Sequence, residues 1–177
     1  MKGPVRLRSL NLEFRGLSLP FGLNVDEVDI KGAKAEINHD PLSLSLEEPA
    51  DVVVRVKESS VQEYLERKQP GGLSDIDLKA ADGLLYLKGR TRLFVEVSVS
   101  AVCRLVIKDK KSLWVQVKEV NVAGVGTKNL VESQIDKINP VLNAEDLPFP
   151  VTLETLTVKD GVIQIDGLAS PPPSQSG

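Results

Sequence analysis

The chain has few of the residues that do chemistry. Cys103 is the only cysteine and His39 the only histidine among 177 residues. A single cysteine closes no internal disulfide, and no Cys or His cluster has the spacing of a metal site. A Ser-His-Asp arrangement would have to use His39, which stands beside Asp40-Pro41 in an expected solvated turn. There is no dinucleotide fingerprint or P-loop, and Gly124-Val125-Gly126 is too short to serve as one. Aromatics are scarce as well: Trp114, two Tyr and four Phe. That argues against stacking platforms for single-stranded nucleic acid and leaves an interior of Leu, Val and Ile. Neither sign of charge dominates, with 22 Lys and Arg against 25 Asp and Glu, so nothing compels a nucleic-acid partner. No apolar run reaches the ~18 residues of a membrane-crossing helix. Residues 1–8 show no hydrophobic signal core.

What the chain does have is alternation. Leu93, Val95, Val97, Val99, Ala101, Cys103, Leu105 and Ile107 are apolar and two apart. Period 2 over this stretch predicts one strand with one apolar face, about 50 Å long at ~3.3 Å per residue. Such a strand must bend to stay in a compact fold. Cys103 lies on its apolar face, where a free cysteine behaves as a small core hydrophobe.

A second pattern, apolar-x-x-apolar-x-apolar, occurs at Leu7-Leu10-Leu12, Val25-Val28-Ile30, Leu73-Ile76-Leu78, Val117-Val120-Val122 and Leu153-Leu156-Val158. A spacing of three puts the later residues on the wrong face unless the strand takes in an extra residue. Each copy therefore predicts a β-bulge, and together they predict a systematically curved sheet. Three copies lead into a turn and a second strand. These run from Ile30 to Ile37 through Gly32, from Leu78 to Leu87 through Asp82-Gly83, and from Val158 to Ile165 through Asp160-Gly161. Asp-Gly between apolar runs is a strong hairpin signal, which makes Asp82 and Asp160 turn residues rather than catalytic acids. The Asp75–Asp82 stretch reads as a solvated strand face rather than a calcium loop. Gly89 and Gly167 follow the two Asp-Gly pairs at the same distance, and Leu19-Pro20-Phe21 echoes Leu147-Pro148-Phe149. A strand–turn–strand unit is thus duplicated.

Two segments break the strand pattern. Ser60-Val61-Gln62-Glu63 has the capping-box form and opens a helix of about ten residues that Pro70-Gly71-Gly72 stops. Thr127 caps a second helix with Leu130, Val131, Ile135 and Ile138 as its stripe, ended near Ile138 by Pro140. Each helix precedes an Asp-Gly hairpin. Further strands are expected through Leu42-Leu44-Leu46, Val52-Val54-Val56 and 113–117, with a polar turn at 108–111. The proline-rich end, 170–177, has too little apolar content to order. Lys88, Arg90 and Arg92, and Lys108, Lys110 and Lys111, flank the long strand. They are either solubilising edge residues or attractors for anionic lipid headgroups.

The duplicated hairpins, the helix from Thr127, the segment Ile138-Asn139-Pro140-Val141-Leu142-Asn143, Leu147-Pro148-Phe149-Pro150 and the closing Asp160-Gly161 hairpin together resemble the LmeA-like phospholipid-binding family of bacterial envelope proteins. The resemblance covers most of residues 5–168. It implies a relation to tubular lipid-binding (TULIP-like) folds, an apolar cavity for lipid tails and no catalytic residues. Family members commonly carry an export signal or membrane anchor, and this chain shows neither. The resemblance places it in the cell envelope or periplasm if an export signal has been removed, and otherwise in the cytoplasm, peripheral to a membrane.

The expectation is an α+β domain over residues 1–169, with a long, strongly curved, mainly antiparallel sheet wrapped around two helices, and a tail at 170–177. The expected function is non-enzymatic binding or carriage of phospholipid or another lipid, without a cofactor. Peripheral membrane contact would run through one of the basic clusters. The candidate wall comprises Val95, Val97, Val99 and Leu105 of the long strand with Leu65, Leu130, Ile135 and Ile138 of the helices. The alternative is a structural or assembly module whose core is filled by its own side chains.

Overall fold

A computed structural model describes residues 3–32, 34–92, 95–122, 128–147 and 149–171, without the side chains of 128 and 130. The expected cap Thr127, the strand start Leu93, the Gly124–Gly126 stretch, Pro148 and residues 172–177 of the tail lie outside the described residues.

Six strands come first: β1 (Val5–Leu7), β2 (Leu10–Ser18), β3 (Asn24–Gly32), β4 (Ala35–His39), β5 (Leu42–Leu46) and β6 (Ala50–Lys57). Helix α1 (Glu58–Lys68) follows, then β7 (Ser74–Ala81), β8 (Leu84–Arg92), β9 (Glu96–Lys108) and β10 (Ser112–Val122). After α2 (Lys128–Ile138) the chain ends in β11 (Leu142–Asn143), β12 (Val151–Lys159) and β13 (Val162–Ala169). The fold is α+β and mainly antiparallel, with a strongly curled sheet and two helices. Among the described residues the strands form three hydrogen-bonded sheets rather than one: β2-β3-β6-β13-β12, β7-β8-β9-β10-β11, and a small β1-β4-β5 sheet.

The long strand is β9, and its odd-numbered residues from Val97 to Leu105 are buried. It starts later than the alternation suggests. Val95 lies in a bend before it and is 67 % exposed.

Three of the five expected bulges are register shifts, at Ser74/Asp77 between β7 and β8, Val117/Glu119 between β9 and β10, and Leu153/Thr155 between β12 and β13. The other two spacings arise differently. Leu7 and Leu10 belong to strands of different sheets. Val25 and Val28 are both buried, but the β2–β3 register is the same on either side, because Gly16 on β2 takes a positive φ of 66° at the same place. Both strands are irregular together there, so neither slips.

The duplicated hairpins share their detail. Asp82-Gly83 and Asp160-Gly161 have φ of 53° and 78°, and 52° and 78°, the left-handed pair that a type I′ turn requires. Gly89 and Gly167 stand across from the two bulges. A Cβ at Gly89 would come within 2.9 Å of Leu73 Cδ1, and one at Gly167 would collide with the carbonyl oxygen of Thr152. The two tips also bond to each other, through Gly83 N–H to Val158 O (2.9 Å) and Gly161 N–H to Ala80 O (2.8 Å). These bonds tie one large sheet to the other.

Helix α1 begins two residues before the expected cap. Its N-cap, Lys57, has no side-chain capping bond. Asp26, reaching from β3, instead accepts from Lys57 N–H (2.7 Å) and from the Ser60 hydroxyl (2.9 Å). The Glu58 carboxylate accepts from Ala80 N–H (2.8 Å) and so fixes the helix to β7. Gln69, at φ 44°, ends the helix with its N–H on Leu65 O. Helix α2 stops before Asn139-Pro140, and the Asn139 amide pairs with both backbone groups of Val115 on β10, at 2.8 and 2.9 Å.

Candidate functional site

The inner faces of the two large sheets and the apolar faces of both helices do not fill the space between them. A cavity of about 270 Å³ remains. An engineered apolar cavity of ~150 Å³ already takes a benzene ring, so this one has room for a larger apolar group. One large sheet supplies Val25, Val56, Ile163 and Ile165 to the wall, and the other supplies Leu78, Leu85, Leu87, Val99, Cys103, Leu105 and Leu113. Helix α1 contributes Val61, Tyr64 and Leu65, and α2 contributes Val131, Gln134, Ile135 and Ile138. Val99 and Leu105 are six residues apart on β9, roughly 20 Å at ~3.3 Å per residue. A bilayer's hydrocarbon core is about 30 Å thick, so one leaflet's tails span about 15 Å. The wall is longer than that.

The chemistry of the wall is nearly uniform. Among the described residues, Tyr64, Thr91 and Gln134 bring its only side-chain oxygens and nitrogens. Cys103 adds a thiol that burial pushes up to about 11, so it stays protonated and is a poor nucleophile. Burial also raises the Tyr64 phenol. Thr91 donates to Gly71 O at 2.9 Å, and Gly71 lies against Gln134. Thr91 and Gln134 thus both meet the Pro70–Gly72 turn that follows α1. Half-buried Thr91 and Gln134 bring this end of the cavity to solvent.

Of the eight wall residues expected from the sequence, Leu65, Val99, Leu105, Ile135 and Ile138 lie in the cavity wall. Val97 is buried on the same face of β9 but is not part of the wall. Val95 is a correction: it precedes β9 and faces outward, because the strand pairing with β8 begins only at Glu96. The Leu130 side chain lies outside the described residues. Sequence reasoning missed Tyr64 as a wall residue, the Ile163 and Ile165 face of β13, and the polar pair Thr91 and Gln134. The alternation at 163–165 was visible in the sequence, but it says nothing about which opposing face it meets.

The basic clusters sit outside the cavity. Lys88, Arg90 and Arg92 project from the other face of β8, and Arg90 pairs with Glu96 at 3.0 Å. Lys108 lies 3.7 Å over the Trp114 ring. The backbone carbonyls of Lys110 and Lys111 accept from Leu153 and Ala144 N–H, both at 2.7 Å, which docks the β9–β10 tip against the β12 side of the molecule.

Comparison with known families decides the assignment: the LmeA-like phospholipid-binding description matches residues 5–167. The chain belongs to the LmeA-like phospholipid-binding family. Comparison with curated proteins and with solved structures gave no match. The cavity wall is almost wholly apolar, and the family is one described as phospholipid-binding.

Proposed function

We propose that this protein is a non-enzymatic carrier that holds a phospholipid by its acyl chains in the cavity and moves it between membranes of the cell envelope. The observation that carries this reading is an apolar cavity bounded by both large sheets and both helices, in a chain of a phospholipid-binding family. Acyl chains need only continuous apolar wall, at about 0.8 kcal/mol per buried CH₂, which accounts for a binding site with no catalytic constellation. The architecture that suits this role is that of tubular lipid-binding proteins. Lys88, Arg90 and Arg92 give the outer face of β8 a basic edge for peripheral contact with anionic headgroups. The competing reading, an assembly module with a self-filled core, is disfavoured by the space left inside.

Purified protein should increase the transfer of labelled phospholipid from donor to acceptor vesicles in proportion to its concentration. Its native-state mass should exceed the chain mass by that of one lipid until organic extraction. No transfer, with a native mass equal to the chain alone even after incubation with vesicles, would overturn the proposal.

A further inference from the structure

The cavity has a direction. Two of its polar groups, Thr91 and Gln134, meet the Pro70–Gly72 turn, and two cationic side chains approach Gln134 and Tyr64. The Lys137 ammonium donates to Gln134 Oε1 at 3.3 Å. The Lys68 ammonium lies 6.0 Å over the Tyr64 ring, at the limit of a cation–π contact, and Lys68 is the last residue of α1 before that turn. Neither lysine is in an ion pair among the described residues. Tyr64 itself is 8 % exposed, yet its hydroxyl has no hydrogen-bond partner among the described residues. Every buried side-chain oxygen and nitrogen among the described residues has a partner, so this hydroxyl reaches open space and is free to donate to or accept from a ligand.

We propose that this end of the cavity, built from Lys68, Tyr64, Thr91, Gln134 and Lys137, takes the ester-and-phosphate end of a glycerophospholipid, with the acyl chains running along β9 toward Leu105 and Leu113. Tyr64 and Gln134 meet the ester oxygens, and the two lysines face the phosphate. Charge-assisted contacts to an anionic oxygen are the stronger ones, so the site prefers an anionic phospholipid to a lipid with the same tails and no phosphate. This inference rests on the carrier reading, because it assigns a polarity to a ligand that reading places in the cavity.

The test is titration calorimetry with monomeric dioctanoyl-phosphatidylglycerol, dioctanoylglycerol and inorganic phosphate. Wild-type protein should bind the phospholipid at least about tenfold more tightly than the diacylglycerol, and inorganic phosphate alone should not bind. In a Lys68→Gln/Lys137→Gln variant, both changes being on exposed side chains, that preference should vanish while diacylglycerol binding is retained. Tyr64→Phe should weaken both lipids about 2- to 10-fold, the effect of one hydrogen bond. Equal binding of phospholipid and diacylglycerol by wild type would overturn this inference and leave the carrier reading standing, as would a preference that survives the double variant. Inorganic phosphate binding as tightly as the phospholipid would make this a free-anion site and overturn it. Binding of neither lipid would overturn the carrier reading itself, and this inference with it.

Discussion

Cys103 reports on the cavity from inside its wall. It is 3 % exposed, points inward from the middle of β9, and is surrounded by aliphatic side chains that disfavour the thiolate. An ordinary thiol is half ionised near pH 9, whereas this one is pushed up to about 11. Its folded pKa lies above the unfolded one, so the protonated form is favoured in the native state until the pH rises through about 11. Labelling of the native protein by a charged thiol reagent should therefore stay slow through pH 9 and become fast in urea. Fast native labelling at pH 8 would mean that the inner face of β9 is open to water. The other residues that matter at this scale are small. Gly89 and Gly167 have no side chain because a strand on the bulged side of each hairpin comes too close for one, which is why both stand at the same place in the duplicated unit.

At the scale of elements, the hairpins were legible because their determinants are local. Asp-Gly sets the backbone of the turn, and the spacing of three in Leu73-Ile76 and Leu153-Leu156 marks a bulge within a few residues of chain. Helix α1 was less legible because part of its N-terminus lies elsewhere in the sequence. Ser60 has the right chemistry for a cap, but its hydroxyl donates to Asp26 across 34 residues of chain, and the same carboxylate takes the Lys57 N–H. No local rule finds a cap supplied by another strand. Asp26→Ala should destabilise the fold by roughly 0.5–2 kcal/mol, the range for loss of an N-cap, and Ser60→Ala should cost less because the Lys57 bond survives. Chemical denaturation reads both, and an Asp26→Ala midpoint equal to wild type would show that the helix start is held by Glu58 and its neighbours alone. Which strands pair was equally hidden. The β6–β13 ladder joins residues more than a hundred apart in sequence, and alternation specifies a face without specifying its partner.

The whole molecule combines two curled five-stranded sheets, tied at their hairpin tips, with two helices that close the space between them without filling it. Curvature comes from the bulges, and closure comes from the Gly83 and Gly161 bonds and from the docking of the β9–β10 tip on β12. A fold of this size that leaves about 270 Å³ empty in its apolar interior gives up packing that its own Leu, Val and Ile could have supplied. In the proposed function a lipid tail restores it. Filling that space from the chain itself is therefore the decisive change, and Val99 is the place to make it, since it lies in the wall whereas Val97 does not. The measurement is bound phospholipid per protein molecule, quantified by mass spectrometry after extraction, for wild type and Val99→Trp, with thermal melts of both. The account predicts that wild type retains lipid, and that Val99→Trp stays folded with a closely similar melting temperature but loses its lipid because the indole occupies the tail's space. A wild type without lipid, together with a Val99→Trp variant destabilised by the roughly 1–3 kcal/mol of an overpacked core, would contradict it.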